Sequence, residues 1–508
     1  MDMSKSPASS FGKWMALAAA LLGWLFDGLE MGLFPLVARP ALRELLQADG
    51  GAIPDKAVLD AWSGIITAFF LVGAATGGVL FGWLGDRFGR VRAMMLSVLT
   101  YALVSGLCGF ATSAWQIGIL RFIAALGMGG EWSLGVALIN EIWPDRSRAF
   151  LAGLIGAAAN VGYLLIAIVG IGLNRFVEPM RGLLMDVGIP QANVDHLLSN
   201  EGWRFLMMLG ALPALLTFMI RMFVPESAKW EQEREKGTTS HWAGVDLFGV
   251  LIGSLGACGI IALWIPNFDL PLAVRVAGSI LGFVVALVGY TYPVYVFLRR
   301  SEEPTLPVKD RAKPTFRRML LGACLSGVAL LGTWGSSQQV PYWVGSLANP
   351  EGLAHPKEYA QIASAAGAVV GTIIAALLGG WLGRRITYFL LCVASMAVMP
   401  AFFLGFTEFG TTFLIAVFGV GAITASFYGW LPLYLPEIFR TSVRATGQGF
   451  GFNFGRILAA IGVLQIGNLS QLFAGGLPHA CASFSLIYLL GMVVIWFMPE
   501  TKGSSISD

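Results

Sequence analysis

Long apolar runs recur along the whole chain and are separated by short polar segments. The runs are continuous rather than alternating, so they indicate helices and not strands. Many of them approach the roughly 20 residues that a helix needs to cross a bilayer. Fourteen such spans are predicted, at residues 14–38, 61–84, 91–112, 114–137, 150–173, 203–223, 244–264, 270–297, 319–345, 360–383, 386–406, 411–435, 446–470 and 479–498.

The composition agrees with a chain that is embedded in lipid. Of its 508 residues, 56% are hydrophobic and 12% are charged, whereas a soluble globular chain has roughly 25% charged residues. Only helices and closed barrels satisfy their backbone polar groups inside a bilayer. We therefore expect an all-α integral membrane protein. The net charge of +3 is too small to indicate a nucleic-acid partner.

Basic residues are distributed unequally between the two sets of loops. In a fourteen-span topology, the side that bears both termini carries most of the 33 lysines and arginines. The opposite side carries Arg39, Arg43, Lys56, Arg175, Arg181, Arg204, Arg275 and Lys357. By the positive-inside rule, the basic side faces the cytoplasm. We expect a protein of the plasma (inner) membrane with both termini in the cytoplasm.

The polar residues show no catalytic or metal-binding pattern. The five cysteines all fall in apolar segments, at spacings typical of neither metal sites nor disulfides. The four histidines fall in loops or at helix ends, without a neighbouring nucleophile or carboxylate pattern. We therefore expect no enzyme activity, no metal and no cofactor.

The two halves of the chain repeat each other. Residues 141–149 and 437–445 both begin with Glu-Ile and end with Arg-Ala, and the Gly-Trp-Leu-Gly of residues 82–85 recurs at 380–383. Pro-Glu followed by Ser or Thr ends both the sixth and the fourteenth span. Two such units with a site at their interface are the plan of an alternating-access transporter. The predicted division is an N-terminal six-helix bundle in 1–230, cytoplasmic loops with two inserted helices in 231–318, and a C-terminal six-helix bundle in 319–508.

The loop between the second and third spans combines glycines with charges in the order Gly-x-x-x-Asp-Arg-x-Gly-Arg. The glycines permit a tight turn and close helix contact. The aspartate can pair with a helix N-terminus or with an arginine and act as a latch. The motif residues are Gly82, Asp86, Arg87, Gly89 and Arg90.

This motif resembles that of the major facilitator superfamily. The resemblance implies the major facilitator fold, here two six-helix bundles with a central inserted helix pair. In the second half, the repeat aligns Arg384 with Asp86 and Thr387 with Gly89. We therefore expect the second latch to be degenerate or absent.

Two acid–base pairs flank equivalent loops of the two halves: Glu141 with Arg148, and Glu437 with Arg444. In the family that the motif resembles, such pairs act with it in closing the cytoplasmic side. The alternative is an ordinary surface ion pair, which stabilises little.

Ionisable residues inside the spans are candidates for proton coupling. Asp27 and Glu30 stand three residues apart in the first span, on one face of the helix. Glu131 is a second proton-site candidate in the fourth span. Such buried charges are costly and therefore functional by default. The alternative is a static pair with an internal arginine such as Arg121.

Three short patterns narrow the resemblance. Asp-Gly-x-Glu in the first span, Gly-Met-Gly-Gly-Glu in the fourth and the Glu-x-Trp-Pro of residues 141–144 resemble the sialate:proton symporters and the aromatic-acid and metabolite:proton symporters. The resemblance implies proton symport of a small organic acid or acidic sugar. The long outer loop 174–202 and Arg456 depart from that family's pattern.

Further polar residues are candidates for binding the solute. Arg456 lies about 15 Å into its span, in the sequence Asn453-Phe-Gly-Arg456, and residues 446–470 contain no Asp or Glu. Its partner is therefore a carboxylate of the other half or an anionic solute. Gln338, Gln339 and the nearby Tyr342 resemble the sugar porters, in which amides bind hydroxyl groups; the alternative is packing between helices.

The leading hypothesis is a proton symporter of a small organic acid or acidic sugar, with Arg121 and Arg456 as the anion partners. A neutral sugar or polyol carrier that uses Gln338 and Gln339 is the main alternative. A transporter-derived sensor is disfavoured by the short tail after Pro499. The expected partners are a small solute, protons and the lipid bilayer, with no nucleic acid, and we expect a monomer.

The fourteen-span topology predicts which loops a membrane-impermeant reagent reaches. Cysteines introduced at Ala192 and Ala354 should be labelled from outside intact cells, and a cysteine at Thr305 should not. Labelling of Thr305→Cys from outside would contradict the topology. Labelling of all three sites after the cells are permeabilised is the control.

Overall fold

A computed structural model describes residues 10–47, 54–143, 147–265, 270–302 and 307–503. Helices account for most of these residues, which confirms the all-α fold. Thirteen helical segments in the described ranges are long and apolar enough to cross a membrane, judged by length and composition. Pro144 of the Glu-x-Trp-Pro pattern and Thr305 lie outside the described residues.

The first part of the chain contains the predicted spans one to six. Its helices are α1 (Ser10–Gln47), α2 (Lys56–Phe88), α3 (Arg90–Leu107), α4 (Ala114–Ile142), α5 (Arg148–Asp186), α6 (Gln191–Leu209) and α7 (Leu216–Phe223). The predicted sixth span, 203–223, is not one continuous helix. It is interrupted after Leu209 by a 3₁₀ turn at Leu212–Leu215, where Pro213 lacks the N–H that an α-helical bond requires.

The predicted outer loop 174–202 was wrong, because most of it is helical. Helix α5 continues to Asp186, and α6 begins again at Gln191. Val194 and Leu198 are buried on one face of α6, and their spacing of four residues explains why this stretch folds as an amphipathic helix. The chain then turns sharply at residues 199–202, inside the range assigned to α6.

The middle of the chain forms α8 (Ala228–Glu235), α9 (Leu247–Leu263) and α10 (Leu272–Arg300). Helices α9 and α10 pack closely through glycines: a Cβ added to Gly289 would lie 2.5 Å from the carbonyl oxygen of Gly249. Tyr290 of α10 shares a 2.7 Å hydrogen bond with Thr76 of α2. Its ring also contacts that of Phe454. The inserted pair therefore touches both the first and the second half.

The second half contains α11 (Ala312–Gly335), α12 (Val340–Val344), α13 (Pro356–Leu382), α14 (Arg384–Gly405), α15 (Thr411–Thr424), α16 (Phe427–Tyr434), α17 (Arg444–Asn453), α18 (Gly455–Leu472), α19 (Gly476–Ser483) and α20 (Ile487–Val494). Several predicted spans are broken within the bilayer. The span 319–345 is interrupted at Ser336, and 446–470 is interrupted at Phe454. Broken spans of this kind occur where the backbone lines a cavity or is buried in protein.

Candidate functional site

A cavity with about 1080 Å³ of empty space lies between the two halves. Its walls come from α1, α4 and α5 of the first half and from α11, α13, α15, α17 and α18 of the second. Concave sites that combine mostly apolar walls with a few polar groups are typical of small-molecule binding. The cavity is therefore the candidate binding site.

Asp27 and Arg456 line this cavity from opposite halves. They are 8% and 6% exposed. Among the described residues, Oδ1 of Asp27 and both Nε and Nη1 of Arg456 have no hydrogen-bond partner. The two side chains nevertheless interact electrostatically with each other. The cavity thus contains one acid and one base whose hydrogen-bonding capacity is partly unused.

The break between α17 and α18 determines where Arg456 stands. Gly455 packs against Gly327 of α11, and a Cβ at position 455 would lie 2.5 Å from the Cα of Gly327. Only glycine permits this close approach of two helices. The approach places Arg456, the next residue, beside α11 in the cavity wall.

Amides and hydroxyls occupy the wall formed by α5, α13 and the 3₁₀ turn Ser337–Gln339 that follows α11. Tyr163 donates a 2.9 Å hydrogen bond to the side-chain oxygen of Gln338. Gln361 donates to the carbonyl oxygen of Tyr163 at 3.1 Å. Asn160 lines the same cavity. Gln338 was expected here from the sequence, whereas Asn160, Tyr163 and Gln361 were missed. Their only sequence signal is that they are polar residues within apolar spans.

Three aromatic rings form another part of the wall, which we call the aromatic stack. Trp24 of α1 and Trp132 of α4 lie with ring centroids 5.9 Å apart. Trp132 is stacked on Phe452 of α17 at 3.9 Å, with an interplanar angle of 2°. The stack joins the two halves beside the cavity. Sequence reasoning did not identify it, because aromatic residues in membrane spans are common.

Four residues predicted to bind the solute do not line the cavity. Gln339 donates a hydrogen bond to the carbonyl oxygen of Trp334, and Asn453 donates to those of Gly129 and Gly449. These amides satisfy backbone groups near helix breaks. Tyr342 and Arg121 also lie outside the cavity lining.

Arg121 has a local partner. Its guanidinium forms an ion pair with Glu30, which also accepts a hydrogen bond from Ser105. The rings of Phe34 and Phe70 lie against the same guanidinium, at 5.3 and 4.7 Å from its carbon atom. Asp27 and Glu30 therefore face different surroundings despite their spacing of three residues: Asp27 faces the cavity, and Glu30 is enclosed within the first half.

Glu131 also lies outside the cavity lining. It is 1% exposed and packs against Gly23 of α1. Its electrostatic neighbours include Asp27. The three predicted proton-site carboxylates are thus close enough to interact, but only Asp27 reaches the cavity.

Asp86 joins the two halves at one end of the molecule, which we call the latch end. Its carboxylate accepts hydrogen bonds from the N–H groups of Ala445 and Thr446, at 3.3 and 2.8 Å, and from the Thr446 hydroxyl at 2.5 Å. These groups are at the N-terminus of α17, where a negative charge is stabilised by the helix dipole. Arg90 completes the contact with a 2.5 Å bond to Asp86.

The motif glycines allow this approach. A Cβ at Gly82 would lie 2.8 Å from the carbonyl oxygen of Ala445. Gly89 has a φ of 114°, a backbone conformation that favours glycine. Arg87 lies over the rings of Trp83 and Phe88 of its own half.

The two acid–base pairs exchange partners between the halves. Glu141 of the first half accepts a 2.9 Å hydrogen bond from Arg444 of the second. Glu437 of the second half accepts a 2.6 Å bond from Arg148 of the first. Each glutamate also binds an arginine of its own half, Arg90 or Arg384. The result is a pair of symmetry-related ion clusters across the interface.

The repeat alignment of the motif was wrong by four residues. Gly383 has a φ of 104° and precedes the first residue of α14, as Gly89 precedes α3. Arg384 is therefore the counterpart of Arg90, and Gly380 occupies the position of Asp86. The sequence alignment had followed the two Gly-Trp-Leu-Gly segments, 82–85 and 380–383, which match in sequence but are four residues apart in structural register. The second half lacks the aspartate latch, as expected, but it keeps the arginine of the ion cluster.

Two further glutamates cap the helices that follow the motif glycines. Glu226 accepts hydrogen bonds from the N–H groups of Arg90 and Val91, and Glu500 accepts them from Arg384 and Arg385. Burial raises the pKa of Glu226 above its ordinary value. Burial also opposes ionisation of Glu500, but its backbone hydrogen bonds hold its pKa below the ordinary value. The repeated Pro-Glu-Ser/Thr was the sequence signal for this role.

Comparisons with known proteins agree with this geometry. The family model described as "Sugar (and other) transporter" matches residues 26–241. The "Putative metabolite transport protein" of Haemophilus influenzae is 26% identical, covering 98% of both chains. The "Cis,cis-muconate transport protein" of Acinetobacter baylyi is 24% identical, covering 87% of this chain and 86% of its own. The structure of the proton:xylose symporter XylE bound to 6-bromo-6-deoxy-D-glucose has a TM-score of 0.63 at 17% identity, covering 97% of this chain and 98% of its own.

The matching family model and the relatives describe transporters and not enzymes, and the thirteen candidate spans are those of an integral membrane protein. In sequence and in fold, the chain resembles transporters of the major facilitator superfamily.

Removal of the Asp86 carboxylate should open the latch end. Loss of hydrogen bonds to a charged group costs about 1.5–3 kcal/mol, so Asp86→Ala should raise the open population roughly tenfold or more. Maleimide labelling of Ser133→Cys, a buried position next to α17, should accelerate accordingly in a background without the native cysteines. Asp60→Ala, which removes a half-exposed carboxylate, is the matched control. Equal labelling of wild type and Asp86→Ala would mean that the motif does not hold the halves together.

Proposed function

We propose that this protein is a proton-coupled symporter of a small organic acid or acidic sugar, working by alternating access. The moving units are the six-helix bundles 1–230 and 319–508, with the inserted helices in 231–318 between them. The site at their interface is the cavity that Asp27 and Arg456 line. This state is closed at the latch end, because Asp86 and the two ion clusters join the halves there.

In this proposal the latch end faces the cytoplasm. The basic loops lie on the side of the motif and of both termini. The protein is then a monomer in the plasma (inner) membrane, and its motif and ion-cluster residues form the cytoplasmic gate. Opening requires Arg444 to leave Glu141 and Arg148 to leave Glu437, while each glutamate keeps an arginine of its own half.

Arg456 is the observation that carries the organic-acid assignment. An arginine stays charged at any physiological pH, and a guanidinium inside a bilayer needs a negative partner. Two of the three nitrogens of Arg456 lack a hydrogen bond, and Asp27 is its electrostatic partner across the cavity. A solute carboxylate placed between them would use these donors. The muconate transporter among the relatives carries an organic acid according to its name.

Asp27 is the proton carrier that this arrangement favours. When an anionic solute occupies Arg456, Asp27 loses its counter-ion and gains a negative neighbour, and both changes favour its protonation. Solute binding and proton binding then reinforce each other. Glu30 already has Arg121 and Ser105 as partners, so its proposed role shifts from proton carrier to a fixed ion pair.

A neutral sugar or polyol carrier is the second candidate. The amides of Gln338, Gln361 and Asn160 and the hydroxyl of Tyr163 line one wall, and hydroxylated solutes are bound by such groups. The aromatic stack also offers the flat apolar surface on which sugar rings pack. In this case Arg456 and Asp27 serve only to neutralise each other.

Replacement of Asp27 by its amide should uncouple transport from the proton gradient. Asn has nearly the same shape but cannot carry a proton, so Asp27→Asn should abolish accumulation driven by a pH gradient in proteoliposomes. Exchange of labelled for unlabelled solute should fall much less, because it requires no net proton movement. Asp60→Asn is the control, and Glu30→Gln tests the alternative carrier. Accumulation by Asp27→Asn in proportion to the gradient would exclude Asp27 as the proton carrier.

Arg456 separates the two candidate solute classes. For an anionic solute, Arg456→Gln should weaken binding roughly tenfold or more, because a hydrogen bond between charged groups is worth about 1.5–3 kcal/mol. Arg456→Lys should weaken it less, since lysine keeps the charge but not the bidentate geometry. The amide of the same solute should bind Arg456→Gln about as well as wild type.

Binding of a transported acid and its amide can be measured by calorimetry on purified protein. Arg39→Gln, which removes a partly exposed arginine paired with Asp60, is the matched control. An equal loss for acid and amide would contradict the anion assignment and favour the sugar carrier.

A further inference from the structure

Glu131 occupies an unusual position behind the cavity wall. The residue is 1% exposed, and neither of its carboxylate oxygens has a hydrogen-bond partner among the described residues. It fits there because position 23 of α1 is a glycine: a Cβ added to Gly23 would lie 1.5 Å from Oε1 of Glu131. The space between α1 and α4 is therefore shaped to hold a carboxyl group.

The groups that surround Glu131 do not balance a negative charge. Asp27 and Glu30 on α1 are both carboxylates. Tyr101 of α3 interacts electrostatically with all three acids, and its hydroxyl is buried without a hydrogen-bond partner among the described residues.

The two buried arginines nearby are engaged elsewhere. Arg121 lies ten residues before Glu131, about 15 Å along α4, and binds Glu30. Arg456 of α18 faces Asp27. An ionised carboxyl group without a cation or hydrogen-bond donor is very costly in such surroundings. The described surroundings of Glu131 therefore offer no partner that would stabilise a negative charge.

The aromatic stack forms the cavity wall next to Glu131 in the chain. Trp132, which follows Glu131 in α4, and Trp24, which follows Gly23 in α1, both line the cavity, whereas Glu131 does not. Phe452 of the second half is stacked on Trp132.

Two hydrogen bonds support that contact on either side: Gln448 donates to the carbonyl oxygen of Ser133 at 2.5 Å, and Asn453 donates to that of Gly129 at 3.1 Å. All three contacts join α4 to α17. They must break when the latch end opens.

We propose that Glu131 is a second proton-binding site, distinct from the solute cavity, that exchanges its proton with water only when the latch end opens. Withdrawal of Phe452 frees Trp132 to turn away and admits water to Glu131. Gly23 precedes Asp27 by four residues, so Glu131 lies about 6 Å nearer the latch end than Asp27 does. The proposal rests on the proposed function for its biological meaning, since it adds one proton to the transport cycle.

Infrared difference spectroscopy tests this site without any solute. The full-length protein in liposomes should show, at neutral pH, the carbonyl stretch of a protonated carboxyl group. The band should disappear in Glu131→Gln and remain in Glu231→Gln, a matched change at an exposed position. If Glu131→Gln fails to insert, Glu131→Asp should shift the band instead. A neutral-pH band that is absent from wild type, or unchanged in these variants, would overturn the proposal.

The same samples test whether opening of the latch end controls proton exchange at Glu131. Transfer to heavy water should shift the band slowly in wild type and roughly tenfold faster in Asp86→Ala, in keeping with the weakened latch. Phe452→Ala should have the same effect. Equal exchange rates in all three proteins would overturn the gating of the site.

The result for Glu131 does not depend on whether the transported solute is an acid or a sugar. The acid and amide measurement on Arg456→Gln can fail while the Glu131 band behaves as expected. Conversely, if the Glu131 band does not behave as expected, proton coupling through Asp27 is unaffected.

Discussion

An ionised side chain inside a bilayer needs an opposite charge or hydrogen-bond donors close by, because lipid supplies neither. The buried ion pairs of this molecule follow from that constraint. Glu141 and Glu437 satisfy it with arginines from both halves, so the bonds that stabilise these charges also hold the halves together. Glu30 satisfies it with Arg121 inside the first half. Asp27 and Arg456 satisfy it only partly, and they are the pair that faces the cavity.

The symmetry between the halves is close but incomplete. Each ion cluster contains a glutamate, an arginine of its own half, an arginine of the other half and a hydroxyl group from Ser227 or Thr501. Only the first half adds an aspartate, because Gly380 stands where Asp86 would be. A Cβ at Gly380 would already approach Ala149 to 3.1 Å. The first half therefore contributes more hydrogen bonds that stabilise the closed state.

The sequence predicted the fold because spanning helices need long apolar runs, and such runs are visible without any tertiary information. It predicted Asp27 and Arg456 for the same reason, since a charge stands out in an apolar run. It misplaced Gln339 and Asn453, because an amide that binds a solute and an amide that satisfies a broken helix look alike in sequence. Tyr163 and the aromatic stack were missed because their importance comes only from which helices meet.

The inserted pair, α9 and α10, changes what surrounds the interface between the halves. Tyr290 contacts Thr76 of α2 and Phe454 at the α17–α18 break. The pair therefore covers, from outside, one of the two edges along which the halves meet, which we call seams. The opposite seam has no such cover in the part of the chain that the structure describes; there α5 packs directly on α16, with Gly156 against the backbone of Tyr428. Lipid tails can therefore press on one seam but not on the other. A change in bilayer thickness or lateral pressure would therefore act directly on the seam between α5 and α16, and only through α9 and α10 on the other.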